Sequence, residues 1–111
     1  MKIVSLNQLP EEAVSHNPLI RKKVFLRQGE VPHLTGFSRA VFPPGTEACS
    51  HRHPDVYETF LVQSGRGVYR GEGGEVSLAP GDCLTVMPGE AHELANDGDE
   101  DLVLVYFGIA D

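Results

Sequence analysis

The chain has 111 residues, enough for one domain around a single modest core. Sixteen acidic against nine basic side chains give a formal charge of −7, which repels phosphate backbones, and no basic cluster exceeds "RKK" at 21–23; the reading excludes nucleic acid as a partner. The longest nearly continuous apolar run, residues 102–107, is far too short to cross a bilayer, and the N-terminus turns polar too early for an export signal. The expectation is a soluble cytoplasmic protein with no membrane partner, its Cys49 and Cys83 reduced and outside any CxxC spacing.

In chain order, residues 9–20 ("LPEEAVSHNPLI") read as helical or irregular, with two prolines keeping any helix short. His16 and, further on, His33 read as surface or loop histidines. From there turn formers punctuate the chain at short intervals: "PPG" at 43–45, "SGRG" at 64–67, "GEGG" at 71–74, "PGD" at 80–82, "PGE" at 88–90 and "NDGDED" at 96–101. Between them lie "GFSRAVF", "VYETFLV", "GVYR", "EVSLA", "CLTVM", "AHELA" and "LVLVYF", each rich in β-formers. That rhythm predicts an all-β sandwich or barrel in one domain spanning 1–111. "NDGDED" reads as a solvated hairpin turn, since no helix follows it as a calcium loop requires. Two runs, "TFLV" and "LVLVYF", are apolar on both strand faces. A second copy of the chain is the simplest cover for the outer face, so the expected assembly is a homodimer.

"GTEACSHRHPDVYETF", residues 45–60, carries the chemistry. Alternate side chains of a strand share a face, so His51 and His53 point the same way, with Cys49 beside them. Pro54 and Asp55 interrupt the strand, and Glu58 can return beside the imidazoles across a hairpin. Two imidazoles and a carboxylate suit a divalent first-row metal. On this stretch alone, a polar hairpin with two surface histidines is an equal alternative. Residues 81–96, "GDCLTVMPGEAHELAN", then add a Gly turn, a strand, a Pro-Gly-Glu turn and His92.

These two stretches resemble the paired motifs of the cupin family. Gly45, His51, His53, Glu58 and Gly65 match the first (45–65) in spacing; Gly81, Gly89, His92 and Asn96 match the second (81–96). One position departs: the family's proline two residues before the second glycine is Met87 here, with Pro88 following. The resemblance implies a double-stranded β-helix, or jelly-roll, barrel with a short N-terminal helical or irregular segment. It also implies one divalent ion per chain (Fe, Mn, Ni or Zn) held by His51, His53, Glu58 and His92, with positions left open for water, oxygen or substrate. Cys49 would pack beside that ion.

Three functions fit such a site. The first is a metal-dependent enzyme of dioxygenase, lyase or isomerase type, acting on a small, partly apolar molecule. The second is a non-catalytic binding or sensing module. The third, a metal-free epimerase-like cupin, sits poorly with an intact ligand set. Strand parity points Phe60 and Val62 inward behind Glu58, while Arg39, Tyr57, Tyr69 and Tyr106 are the polar residues able to orient a substrate. Glu93 has the wrong parity for an independent base and Glu90 lies in a turn, so the chemistry would fall chiefly to the metal.

Overall fold

The computed structural model describes residues 1–51 and 54–110, with side chains given for all of these except 49–51. Among the described residues a one-turn 3-10 helix, Leu6–Gln8, precedes ten strands: β1 (Glu12–Val14), β2 (Asn17–Arg27), β3 (Leu34–Phe42), β4 (Glu47–His51), β5 (Val56–Ser64), β6 (Gly67–Gly71), β7 (Gly74–Leu78), β8 (Cys83–Val86), β9 (His92–Ala95) and β10 (Leu102–Ala110). They form a six-stranded sheet in the order β1-β2-β3-β10-β5-β8 and a four-stranded sheet in the order β4-β9-β6-β7. All pairings are antiparallel. The all-β, double-sheet expectation therefore holds. No helix of the described residues is long and apolar enough to cross a membrane.

Each run anticipated between turn signals is a strand. The N-terminal stretch differs. Residues 9–20, read as helical or irregular, form β1, a tight turn and the start of β2, and Glu12, Ala13 and Val14 pair with Lys22, Arg21 and Asn17. Neither proline obstructs this. Pro10 precedes β1, and Pro18 lies at the second residue of β2, outside the paired register. "NDGDED" also differs: it is exposed from Asp97 to Asp101, as expected, but it carries the chain from β9 to β10 in the other sheet and closes no hairpin.

The core lies between the sheets. Alternation puts Ile20, Phe42, Phe60, Val62, Leu102 and Leu104 of the large sheet against Tyr69, Leu78 and Leu94 of the small one. Burying a side chain of this size fully stabilises the fold by about 1.5–3 kcal/mol, and Ile20, Leu102 and Leu104 are all but inaccessible.

The crossings between sheets are fixed by particular residues. Gly65 sits at φ +79°, and a Cβ there would lie 2.1 Å from the Asp101 carbonyl oxygen, so only glycine fits where the chain leaves β5 for β6. Asn96, 1% exposed, donates from Nδ2 to the Phe42 carbonyl (2.8 Å) and the Glu100 carbonyl (2.7 Å) and accepts from the Gly98 N–H (3.0 Å). One buried amide thus clamps the end of β3 to the loop that follows β9.

Candidate functional site

Glu58 and His92 come from different sheets. Glu58 lies on β5, on the same parity as Phe60 and Val62, and so projects between the layers. His92 opens β9, 2% exposed. Its Nε2 stands 3.3 Å from Glu58 Oε1. Its Nδ1 lies 3.2 Å from the Glu90 carbonyl oxygen, which can only accept, so Nδ1 carries the proton. Burial works to lower the His92 pKa, but the hydrogen bonds to Glu58 and the Glu90 carbonyl outweigh it and the net direction is upward.

The pair opens onto a cavity of about 230 Å³. Phe42, Phe60, Leu94, Leu104 and Tyr106 form most of its apolar wall, with Ala40, Ala48 and Val14. Phe60 and Tyr106 are stacked, ring centroids 5.6 Å apart at 22°, and Phe60 also meets the His92 ring at 6.4 Å. Burial pushes the Tyr106 phenol up from its ordinary value, against the hydrogen bond from Ser38. Ser15 and His16, in the β1–β2 turn, and Lys22 on β2 complete the lining.

Glu58, His92, Phe60 and Tyr106 line one cavity. His51 stands opposite His92 in the β4–β9 register. The side chains of Cys49 and His51, and His53 altogether, lie outside the described residues. Glu58 does not return across a hairpin, because β4 pairs with β9 while β5 pairs with β8 and β10. It reaches His92 across the sandwich.

Two proposed substrate contacts are corrected. Arg39 is on the opposite parity from Ala40 and Ser38 and points outward, its Nε donating to Gln63 at 3.4 Å. Val62 faces inward, as parity required, but is 2% exposed and packs in the core away from the cavity wall. Of the tyrosines, Tyr57 is exposed, and Tyr69 donates to Glu90 Oε2 at 2.6 Å without lining the cavity. Glu90 is thereby a turn clasp, since its Oε1 also accepts from the Met87 N–H at 3.2 Å. A proline at 87, as the family pattern has it, would lack that N–H. Glu93 points outward to Arg70, 3.3 Å away. His33 is a loop residue as expected, its carbonyl accepting from Ala110 N–H at 2.7 Å.

His16 is exposed, as a surface histidine should be, but it also lines the cavity, as does Lys22 of the "RKK" cluster. The β1–β2 hairpin brings both there, and its prolines and charges hide it in the sequence. Lys22 alternates with Ile20 and Val24, which would have marked it as inward-facing.

Two facing antiparallel sheets with a histidine–carboxylate pair at an open inner cavity define the double-stranded β-helix class. The family model for the cupin domain matches residues 38–108, and the chain belongs to the cupin family. It is 33% identical over 66 residues to an oxalate-binding protein of Thermotoga maritima, a match covering 60% of this chain and 54% of that one. It is 37% identical over 68 residues to an (R)-mandelonitrile lyase of Granulicella tundricola, covering 60% of this chain and 51% of that one. The matches thus span about half the length of each relative. Among solved structures, a predicted oxalate decarboxylase of Thermotoga maritima superposes with a TM-score of 0.92 over 99% of this chain and 100% of that one, at 23% identity, a likeness of fold.

Proposed function

We propose that this cupin binds one divalent metal ion through His51, His53, Glu58 and His92 and acts on a small organic molecule held in the adjoining cavity. The observation that carries the reading is the His92–Glu58 pair. Both are largely buried, at 3% and 17% side-chain exposure, and meet at the cavity wall. The Glu90 carbonyl accepts from His92 Nδ1, which leaves Nε2 facing the Glu58 carboxylate as the nitrogen that would ligate an ion taking the place of its proton. The family's motif spacing supplies His51 and His53, and the register of His51 opposite His92 agrees with it. Iron, manganese, nickel and zinc all suit three nitrogens and a carboxylate. When bound, such an ion supplies Lewis-acid polarisation of a substrate oxygen. The chain's own part is to hold the molecule against Phe60 and Tyr106 and to keep water from its apolar side.

Of the dioxygenase, lyase and isomerase classes, the lyase has support from the relative named (R)-mandelonitrile lyase. The second reading, binding without turnover, has support from the relative named an oxalate-binding protein. Metal analysis tests the common ground. The wild-type protein should carry about one ion per chain, as a four-ligand site requires, and the variant with all four residues changed to alanine should fall to background. Undiminished metal in that variant overturns the assignment. Turnover screening of the iron, manganese, nickel and zinc forms with oxygen and candidate small molecules then separates enzyme from binder.

A further inference from the structure

Strand β2 carries a cation where its register calls for an apolar side chain. Lys22 alternates with Ile20, which is 0% exposed, and faces Ala40, 1% exposed, on β3. It lines the same cavity as Glu58 and His92. Its neighbour on β1 is Glu12, whose charge attracts the ammonium, but the hydrogen bond of that carboxylate goes to Arg27 at 2.5 Å. Among the described residues no carboxylate closes an ion pair with the Lys22 ammonium. Partial burial of a charge beside an apolar wall costs stability that a leucine or methionine would not. Packing alone gives no reason for lysine here.

We propose that Lys22 recognises a carboxylate in this cavity, and that the substrate is a small monocarboxylate with an apolar, ring-sized body. The inference rests on the metal-site reading above and deepens it. Lys22 on β2 and Glu58 on β5 are separated by β3 and β10. Three strand spacings amount to roughly 14 Å across the sheet, and Lys22 stands level with Val62, four residues along β5 from Glu58, which adds roughly 13 Å along the strand. The intervening cavity wall is Ala40, Leu104, Tyr106 and Phe60, with the last two stacked. A carboxylate held by Lys22 therefore lays the rest of its molecule along this apolar wall. A compact dianion such as oxalate has no apolar body to place there. The cavity, about 230 Å³, has room for a ring and a short chain, since about 150 Å³ accommodates benzene.

Calorimetric titration of the zinc-loaded protein with 3-phenylpropanoate, its neutral amide and oxalate tests this. Wild type should bind the phenylpropanoate more tightly than the amide or oxalate. Lys22→Met should weaken phenylpropanoate by about tenfold or more, the loss of a charged hydrogen bond, while amide binding and zinc content stay unchanged. Lys22→Arg should retain most of the affinity, and it serves as the test if the methionine variant misfolds. Equal carboxylate affinity in wild type and Lys22→Met overturns the proposal, as does wild type that binds no phenylpropanoate at millimolar concentration or prefers its amide. If wild type takes up no zinc, the metal reading fails by itself, and the same comparison on metal-free protein still decides the role of Lys22.

Discussion

Glu58 is the one carboxylate among the described residues lining the cavity, and in the proposed site it alone offsets part of the ion's charge. Oxygen ligands matter more to a hard ion than to zinc, which accepts all-nitrogen and sulfur sites. Glu58→Gln keeps the size and removes the charge. Manganese affinity should fall by about tenfold more than zinc affinity, measured by competition with a chromophoric chelator. Equal losses would show that the charge of this residue does not set metal choice. Met87 illustrates the same scale. Its N–H closes the turn onto Glu90 at 3.2 Å, and Glu90 in turn places its carbonyl on His92.

At the scale of elements, Tyr69 ties β6 to the turn that precedes β9. Its phenol is 6% exposed and donates to Glu90 Oε2 at 2.6 Å. Burial first, then that hydrogen bond, push its pKa up to about 12. A phenol whose folded pKa lies above its unfolded one, near 10, contributes stability that is complete below the unfolded value. That contribution is lost as pH rises through the window up to about 12. Tyr69→Phe should lower stability at neutral pH by about 1.5–3 kcal/mol, the range for a hydrogen bond to a charged acceptor. In urea titrations, the variant should also show a shallower decline in stability over that alkaline window. An unchanged alkaline slope would place the transition elsewhere.

The whole molecule has a second apolar surface. On the outer face of the large sheet, Phe107 packs edge-on against Phe37 at 6.4 Å, and Phe37 meets Phe25 at 5.0 Å. Phe107, Ile109, Leu61 and Tyr57 remain 37–40% exposed. The N-terminal segment reaches this sheet face at β2, where Lys23 Nζ donates to the Leu6 carbonyl at 3.1 Å, yet those four residues stay exposed. The proposed cover is a second copy of the chain, because a two-fold contact buries both patches at once. Leu104 and Tyr106 face the interior, so a charge belongs at the alternate positions. Phe107→Glu should convert the dimer to monomer in light scattering while leaving the far-ultraviolet circular dichroism unchanged. A monomeric wild type at micromolar concentration refutes the dimer.

Turn chemistry and strand period are local properties, and they were legible without coordinates. Gly45, Gly65, Gly81 and Gly89, read as motif glycines, all adopt positive φ. The alternation of Glu58, Phe60 and Val62 placed all three inward, and Glu93 outward, because a strand offers only two faces. Partnership between strands is not local. Nothing in residues 45–60 says that β4 turns away from β5 to pair with β9, so the meeting of Glu58 and His92 across the sandwich belongs to the tertiary fold. The same holds at the N-terminus. The charges and prolines of residues 9–27 masked a hairpin whose pairing with β3 supplies its stability. Pairing with the sheet turned Lys22 from one charge in a basic cluster into a cation facing the cavity, because only the register against Ala40 decides which way that side chain points.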